Sequence, residues 1–400
     1  MDYPIRAGGV ASRRGREPVI VGVADAPLRD GRVADGRHPL AVQAHAAKAA
    51  LAEAGLGFGD VDGLLTAGSW GIPGSGSLMA LTVAEYLGLR PRFMDGTQIG
   101  GSSFEAHVAH AALALQAGYC DVALITYGST QRSGRERTLA GRGPALTLQY
   151  EAPFGLPTPV GAYAMAAMRH MHEFGTTAEQ LAEIAVATRA WAALNPAATM
   201  RDPLTVADVL ASPLISAPLH LLDCCLVTDG GGAVVMTTAG RARDLRTHPV
   251  HVRGYGETLT HATIGSMPDL TRTGAERSGR IAMEMAGVRH GEIDVAEIYD
   301  SFTITVLLTL EALGFCGRGE GGAFVSGGRT GPGGDFPVNT NGGGLSCAHP
   351  GMYGLLLLIE AVRQLRGECG ARQVPGAKIA LAHGTGGVLS STVTCILSCD

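Results

Sequence analysis

Apolar residues recur along the chain in two patterns, short runs typical of buried strands and longer Ala- and Leu-rich stretches typical of helices. The first pair is a strand over Val19–Val23 and an Ala-rich helix over Pro39–Ala54, which Gly55 ends. A later pair is a helix over Ser102–Ala117, which follows a glycine pair, and a strand over Asp121–Tyr127. Strands that alternate with helices in this way predict a layered α/β fold. Between the two pairs the pattern predicts a strand, Val61–Leu65, and a helix, Leu78–Leu89.

Residues 129–220 break this alternation. They contain a basic stretch, Arg132–Arg142, and predicted helices over Val160–Phe174 and Thr177–Leu194. The second helix follows a Thr-Thr-Ala-Glu segment, which is typical of a capping box. We interpret this part of the chain as an insertion laid over one end of the sheet, and the strand Gly232–Thr237 as the close of the first half.

The second part of the chain repeats the plan of the first, with strands and helices in a similar order. This repetition predicts an internal duplication, with an N-terminal half over residues 1–249 that includes the insertion, and a C-terminal half over residues 250–400. The elements predicted for the C-terminal half are strand Val250–Tyr255, helix Gly274–Ala286, strand Val295–Ile298, helix Ser301–Leu313, helix Met352–Arg366, and strands Lys378–Ala382 and Val388–Leu397.

Length and composition agree with two buried halves. The chain has 400 residues, of which 46% are hydrophobic and 17% are charged. Because a single hydrophobic core stops growing at about 250–300 residues, we expect two cores. The 58 glycines cluster in short runs such as Gly342–Gly344, which indicates tight turns and close backbone contacts.

Charge and apolar patterns argue against several classes of partner. The net charge is −5 and there is no long basic run, so no nucleic-acid partner is expected. No apolar stretch reaches the roughly 18 residues of a membrane span, so no membrane association is expected either. The segment Met1–Pro18 is rich in Arg but has no apolar core. It is therefore not a secretory signal, and we expect a cytoplasmic protein.

The eight cysteines have no metal-binding spacing. None of them forms a Cys-x-x-Cys pair, so we expect no zinc site built by this chain and no cofactor. Without an export signal the thiols are expected to be reduced. We interpret Cys224 and Cys225 as core residues, and Cys347 as a small apolar side chain rather than a nucleophile.

Candidate chemistry is concentrated in four segments near the ends of predicted elements. In the first, the pair Gly100–Gly101 precedes a helix whose free N–H groups can hold an oxyanion, although the pair could serve only as a tight turn. The second has Tyr299 at a strand end, where a half-buried structural tyrosine is the alternative. The four segments are Gly96–His107, Ala296–Thr303, Asn339–Gly354 and Ala382–Gly387.

The third segment has His349 and Tyr353, and the fourth has His383. Histidine can do acid/base work near neutral pH, although a structural ring at a helix start or strand end is the alternative in both places. A tyrosine must lose its proton to act as a base, and its ordinary pKa is about 10. We therefore expect donors such as His349 or the helix start at Ser102 to lower the tyrosine pKa.

Together, and in this order, the four segments resemble the thiolase superfamily, especially its sterol-carrier-type and lipid-transfer-type members. The Gly-Gly-Gly to His-Pro-Gly run before a helix is the most specific part, and the resemblance covers nearly the whole chain. It implies a thiolase-type α/β fold, with a duplicated αβαβα arrangement of layers and an inserted loop domain. It also implies that Gly101 stands where the family has its nucleophilic cysteine, so that no acyl-cysteine can form there.

The resemblance implies a role for each of the other site residues. His349 would hold the thioester oxygen, and His383 would stand where a family cysteine moves the α-proton. Tyr299 stands where many members have an Asn that holds a catalytic water. The oxyanion site is expected to be formed by Gly100, Gly101, Ser102 and Gly386.

A site that stabilises a thioester enolate without a nucleophilic thiol suits retro-aldol chemistry. The glycine pair, Tyr299 and Tyr353 resemble actinobacterial lipid-transfer-type aldolases that shorten steroid side chains, in which two tyrosines carry the proton transfers. The resemblance implies cleavage of a 17-hydroxy steroid acyl-CoA to a 17-keto steroid and propionyl-CoA. It also implies a homodimer that forms a heterotetramer with a zinc-ribbon/OB-fold protein, zinc being expected only in that partner.

Two other functions are open from the sequence. One is an acyltransferase of the acetyl-CoA acetyltransferase type, which would use Cys347 or a thiol from a partner. The other is a non-catalytic thiolase-like subunit. The basic stretch Arg132–Arg142 also has two interpretations, a contact with CoA phosphates that is shared with the partner, or a solvated face.

Overall fold

A mixed β-sheet of ten strands forms the frame of the molecule. The computed structural model describes residues 15–34, 38–70, 78–134 and 145–399, and most of the basic stretch Arg132–Arg142 lies outside them. The main strands in chain order are β1 (Pro18–Asp25), β2 (Gly63–Leu65), β3 (Phe93–Asp95), β4 (Val122–Ser129), β5 (Gly230–Thr238), β6 (Val250–Leu259), β7 (Val295–Ile298), β8 (Ile379–Gly386) and β9 (Ser391–Ser398), and the two-residue strand Ser69–Trp70 pairs with β4.

The strand order shows that the sheet contains two copies of one arrangement. Across the sheet the order is β7-β8-β9-β6-β1-β5-β4-β2-β3. In the first copy β1 pairs antiparallel with β5, β5 antiparallel with β4, and β4 parallel with β2. In the second copy β6, β9, β8 and β7 repeat this order and these orientations. The copies join where Val19 pairs with His251 and Ile20 pairs with Val250.

Helices cover both faces of each half of the sheet, which gives five layers. Between the two halves lie α3 and α12, and their side chains share one buried cluster with strands of both halves. The outer face of the first half is covered by α1 and α2, and that of the second half by α5, α6, α9 and α10. The predicted αβαβα layering is therefore confirmed. The helices are α1 (Pro39–Ala54), α2 (Met79–Leu87), α3 (Ser103–Ala117), α4 (Ala145–Tyr150), α5 (Val160–Phe174), α6 (Ala178–Ala193), α7 (Val206–Ala211), α8 (Ala239–Ala242), α9 (Ala275–Ala286), α10 (Thr303–Leu313), α11 (Gly321–Val325) and α12 (Gly354–Arg366).

The duplication extends to single residues. Gly22 in β1 and Gly254 in β6 each follow a register shift in their strand. A Cβ at Gly22 would overlap the carbonyl of Ala50 in α1, and a Cβ at Gly254 would overlap that of Ala282 in α9. At the same place in both halves, a helix therefore lies so close to its strand that only glycine fits.

The structure moves several predicted boundaries. The predicted strand Lys378–Ala382 continues to Gly386 in β8, so the fourth candidate segment is mainly strand and not loop. The capping box at the start of α6 joins Thr177 and Gln180, one residue later than the sequence suggested. The sequence did not predict the short edge strand β3. The division of the chain into residues 1–249 and 250–400 stays a prediction.

The close approach at Gly254 generates a stability prediction. A Cβ there would also lie 2.9 Å from the backbone nitrogen of Ala286, and real Cβ atoms essentially never come under 3.0 Å of such atoms. Because the obstructing atoms are backbone, Gly254→Ala should lower the free energy of unfolding by about 1–3 kcal/mol in denaturant titrations. Gly291→Ala, whose Cβ would meet nothing within 4 Å, is the control and should change little. Equal stability of both variants would contradict the helix–strand contact.

Candidate active site

The ring of Tyr299 fills the space that a side chain at position 101 would need. Tyr299 directly follows β7, and Gly101 lies in the helical turn Gly100–Ser102 that leads into α3. A Cβ on Gly101 would lie 2.5 Å from Cζ of Tyr299 and 2.5 Å from the carbonyl oxygen of Thr385. Glycine is therefore required at position 101, because a cysteine there would collide with the phenol and with the carbonyl of Thr385.

The hydroxyl of Tyr299 is held between two groups of the third segment. Its Oη lies 3.0 Å from Nε2 of His349, and the backbone N–H of Tyr353 donates to the same oxygen at 3.2 Å. Tyr353 is the N-cap residue of α12, so the positive end of this helix faces the phenol oxygen. Since a backbone donor already occupies one side of Oη, the arrangement favours the histidine tautomer in which Nε2 accepts the phenolic proton.

Tyr353 and His349 complete a cluster of three buried rings. The rings of Tyr299 and Tyr353 meet edge to face with centroids 5.9 Å apart, and those of His349 and Tyr353 are stacked at 6.0 Å. The hydroxyl of Tyr353 donates to Oδ1 of Asn341 at 2.8 Å. The structure thus brings the two predicted tyrosines and His349 together, although the two hydroxyls have different partners.

A buried carboxylate fixes the third segment against the second. Asp300, next to Tyr299, accepts from the backbone N–H groups of Gly344 at 2.7 Å and Leu345 at 3.1 Å. These residues belong to a π-helical turn, Gly343–Cys347, in which the chain bends back toward His349. Burial raises the pKa of Asp300 to about 7, and the two backbone donors oppose this shift. The position of the histidine therefore depends on a side chain that the sequence analysis did not select.

Burial keeps the three rings uncharged. It raises the pKa of both tyrosines well above the ordinary phenol value, and the N–H of Tyr353 only partly offsets this for Tyr299. It lowers the pKa of His349 to about 4. The expected net lowering of the tyrosine pKa is therefore wrong for this arrangement. At neutral pH the cluster consists of two phenols and a neutral imidazole. A proton can pass between Tyr299 and His349, whereas the hydroxyl of Tyr353 is bonded to Asn341, and the cluster contains no strong base.

His383 does not join this cluster. In β8 its side chain alternates with those of Ala382 and Gly384, so its ring lies on the same face as Leu381, toward the outer helices. Its Nδ1 bonds to Oγ1 of Thr394 at 2.8 Å, and burial lowers the pKa of the ring to about 3. The sequence placed His383 in a loop, and the extension of β8 turns it away from the tyrosines.

The predicted oxyanion residues surround the start of α3. Gly100 has a φ of 83°, and a Cβ there would lie 2.7 Å from Cα of Gly386, so the two glycines allow this close contact. The hydroxyl of Ser102 is 2.7 Å from Oγ of Ser391, so it ties the helix start to β9. The backbone N–H groups at the start of α3 are still suited to binding an anion, because the first N–H groups of a helix have no partner within it. The assignment of Gly100, Gly101, Ser102 and Gly386 to an oxyanion site stays a prediction.

Cys347 ends the π-helical turn Gly343–Cys347. It lines a cavity of about 200 Å³ together with Asn341, and Nδ2 of Asn195 lies 3.7 Å from its Sγ. Burial raises the pKa of the Cys347 thiol, which disfavours the thiolate that a nucleophile needs. Burial also raises the pKa of Cys225, whose N–H donates to the carbonyl of Ser301 beside the second segment.

Sequence reasoning missed three residues that shape the site. Asp300 and Asn341 lie inside segments that were already selected, so their position next to Tyr299 and before the glycine run was an available signal. Glu105 also lies in a selected segment, Gly96–His107, but a single carboxylate in a helix is usually exposed, so its burial could not be predicted from the sequence. Only the packing of α3 between the two half-sheets shows that its side chain is buried.

The described residues contain neither a metal-binding cluster nor a membrane span. No group of three or more His, Cys, Asp and Glu side chains is placed there to bind a metal ion. Within the same residues, no helix is both long enough and apolar enough to span a bilayer. The expectation that this chain uses no cofactor of its own stays a prediction.

The contact between Gly101 and Tyr299 can be tested by a double-mutant cycle. Gly101→Ala should lower the free energy of unfolding by about 1–3 kcal/mol, because the new methyl group and the phenol compete for one space. In a Tyr299→Ala background the contact with the ring is removed and the contact with the carbonyl oxygen of Thr385 remains, so the same glycine change should cost clearly less. Denaturant titrations of the four proteins measure the coupling energy. Additive effects would show that the two residues do not share this space.

Proteins of related sequence cover nearly the whole chain. The family profile described as Thiolase C-terminal domain-like matches residues 256–399. Over 358 residues the chain is 35% identical to an acetyl-CoA acetyltransferase of Methanothermobacter thermautotrophicus, and this match covers 87% of the chain and 91% of the relative. Over 345 residues it is 35% identical to a 17-hydroxy-3-oxo-4-pregnene-20-carboxyl-CoA lyase of Mycobacterium tuberculosis, with coverage of 83% and 88%.

The solved structure of an Ltp2-ChsH2(DUF35) aldolase is similar over the same extent. It matches with a TM-score of 0.85 and 33% identity, over 96% of this chain and 97% of that one. The similarity thus covers nearly the whole chain. By its duplicated five-layer fold and by 35% identity to relatives over more than four fifths of its length, this chain belongs to the thiolase superfamily.

Proposed function

We propose that this chain is a thiolase-fold aldolase, a carbon–carbon lyase that cleaves a β-hydroxyacyl-CoA by a retro-aldol reaction without an acyl-cysteine. The observation that carries the proposal is the ring of Tyr299 in the space of a side chain at position 101. A relative with 35% identity is named a lyase of 17-hydroxy-3-oxo-4-pregnene-20-carboxyl-CoA. A 17-hydroxy steroid acyl-CoA is therefore the proposed substrate, and a 17-keto steroid and propionyl-CoA are the proposed products.

The base side of the reaction is assigned to Tyr299 and His349. The β-hydroxyl of the substrate gives its proton to Oη of Tyr299 while the phenolic proton passes to Nε2 of His349, 3.0 Å away. This relay avoids a free tyrosinate, which burial makes costly. As the β-oxygen becomes a carbonyl, the Cα–Cβ bond breaks and its electron pair forms the thioester enolate.

The acid side is assigned to Tyr353. Its hydroxyl donates to the amide oxygen of Asn341, a group that cannot keep the proton, so the phenol stays protonated until the enolate forms. Tyr353 then protonates the enolate carbon. Once the products have left, His349 gives its proton to solvent and Tyr353 takes one from solvent, so that no proton is gained or lost overall. His349 was expected only to hold the thioester oxygen, and here it has a proton-accepting role as well.

The enolate oxygen needs a donor that does not titrate. The backbone N–H groups at the starts of α3 and α12 are suitable, because the positive ends of both helices are directed at the cluster. Gly100, Gly101, Ser102 and Gly386 are retained in this role through their backbones. His383 receives no proton transfer in this scheme, because its ring lies on the outer face of β8.

An acyltransferase is the second candidate, favoured by the 35% identity to an acetyl-CoA acetyltransferase. It would need a thiolate near the start of α3, and the segment Gly96–His107 contains no cysteine. Cys347, which the sequence left as a substitute, has a raised thiol pKa and lies beside Asn341 and Asn195. The aldolase is therefore the better supported function.

Two observations support the proposed assembly, a similar solved structure and an exposed apolar edge of the sheet. The similar aldolase structure bears the name of a DUF35 partner, which supports a partner of that type here, with the zinc-ribbon/OB fold expected from the sequence. The last strand of the sheet order, β3, has an unpaired edge in the described residues and the exposed side chain of Met94. Leu81 and Tyr86 of α2 are exposed as well. An apolar sheet edge of this kind supports a homodimer within a heterotetramer.

The decisive experiment compares single hydroxyl deletions. Tyr299→Phe and Tyr353→Phe should each lower turnover of 17-hydroxy-3-oxo-4-pregnene-20-carboxyl-CoA by about 10²–10⁴, since each removes one proton-transfer group and little volume. His349→Ala should lose turnover too, whereas Cys347→Ala should keep it. The rates are measured as 17-keto steroid and propionyl-CoA formed, with and without a DUF35-type partner. Tyr255→Phe, on β6, is the matched control and should keep normal turnover.

The same variants separate the aldolase from the acyltransferase. Incubation with the acyl-CoA should leave the intact mass of the wild type unchanged, because no acyl-enzyme forms. If both phenylalanine variants stayed active while Cys347→Ala was dead and the wild type carried an acyl group, the acyltransferase would replace the aldolase.

A further inference from the structure

The carboxyl group of Glu105 is buried next to the start of α12 and the end of β8. It lies in the first turn of α3, the residue is 0% exposed, and neither carboxyl oxygen has a hydrogen-bond partner among the described residues. Burying an ionisable group without a partner costs stability, and an amide or apolar side chain of similar size would avoid much of that cost. A destabilising group that stays in a well-packed layer suggests a role in function.

Glu105 acts as a wedge between segments that form the site. A Cβ on Gly354, the first residue of α12, would lie 2.7 Å from its Oε1. A Cβ on Gly384 in β8 would lie 2.6 Å from its Cδ. A Cβ on Gly354 would also lie 2.3 Å from the carbonyl oxygen of Gly101, and a Cβ on Gly384 2.7 Å from Cα of Ser102, so the backbone before α3 and the carboxyl group together require glycine at both positions. The carboxyl group therefore fills the remaining space between α3, the start of α12 and the end of β8.

Each of these glycines is next to a backbone group that holds Tyr299. Gly354 follows Tyr353, whose N–H donates to Oη of Tyr299 at 3.2 Å. Gly384 follows His383, whose carbonyl oxygen accepts from the N–H of Tyr299 at 2.9 Å. A change in the size or charge at Glu105 is thus transmitted to both ends of Tyr299 through one peptide unit on each side.

We propose that Glu105 is a positioning residue for the tyrosine pair and that it works as a neutral carboxylic acid. In that form it spaces the starts of α3 and α12 and the end of β8, so that the N–H of Tyr353 reaches the phenol oxygen. Once ionised, it would add a negative charge beneath the oxygens that become negative during catalysis and would weaken their stabilisation. The catalytic part of this inference rests on the proposed aldolase function.

The surroundings of Glu105 do not favour its ionised form. From β9 the thiol of Cys395 donates to the backbone carbonyl of Glu105 at 3.5 Å. The part of α12 that lies against the carboxyl group is Gly354, which has no side chain to pair with it. The ring of His383 lies on the other face of β8, and within the described residues no cation pairs with the carboxyl group. Burial accordingly raises the pKa of Glu105 from 4.5 to about 8, and only its own backbone opposes the shift.

The raised pKa of Glu105 predicts how the folding stability changes with pH, and this change can be measured. Between pH 4.5 and about 8 the unfolded chain has lost this proton and the folded chain still holds it, so folding becomes less favourable as the pH rises. Glu105→Gln lacks this penalty. Its melting temperature should equal that of the wild type near pH 4.5 and exceed it by a growing margin up to about pH 8.

The test of the positioning role is a pH–rate profile of the full chain with its partner. Turnover of the wild type should fall about tenfold per pH unit above the pKa of Glu105. Glu105→Gln should keep turnover at pH 7 within a few-fold and move this alkaline limb up by about one unit or more. Glu105→Ala, which removes the wedge, should lower kcat about tenfold or more with little change in KM. Glu311→Gln removes a buried carboxyl on α10, in the outer helix layer, and should leave the limb in place.

An unchanged alkaline limb in Glu105→Gln, or normal kcat in Glu105→Ala, would overturn the proposal. If the wild type has no aldolase activity at all, the proposed function fails, and the inference is then judged without turnover. ¹³C-carboxyl NMR of Glu-labelled protein, with Glu105→Gln identifying the signal, should show a carboxyl that titrates near pH 8. A signal that titrates near pH 4.5 would show that the acid is not held neutral by the fold.

Discussion

The contact between Gly101 and the ring of Tyr299 is the constraint on which the site depends. The start of α3 and the end of β7 share one space, and only one of them can place a side chain in it. A nucleophile on α3 and a phenol on β7 therefore exclude each other. A glycine at position 101 and a phenol at position 299 are thus compatible with each other, whereas a cysteine at position 101 would collide with the phenol.

The duplication explains why the chemistry is located where it is. α3 and α12 occupy equivalent places in the two halves, and both lie in the layer between the half-sheets. Their N-termini meet near Tyr299, with Gly101 at one helix start and the N–H of Tyr353 at the other. Two positive helix ends at one buried point favour negative charge there, which the enolate of either a thiolase or an aldolase would bring.

Burial in the central layer determines the protonation states of the site residues. Burial raises the pKa of the tyrosines and of Glu105, and it lowers the pKa of His349 to about 4. Groups that would be charged in water are thus neutral here, and they are held by short contacts with glycines and backbone amides. Burial of these polar groups costs folding stability, and it holds them in a fixed geometry.

The sequence by itself determined the alternation of strands and helices, the duplication, the absence of the cysteine and the selection of Tyr299, His349 and Tyr353. These properties follow from local patterns and from residues next to element ends. The tertiary structure decided which face His383 presents, the different partners of the two tyrosine hydroxyls, and the burial of Glu105. Each of these depends on where a strand stops or on what packs against a helix from far along the chain. Residues 105, 354 and 384 meet only when the two halves close on α3 and α12, so no local pattern could show that they share one space.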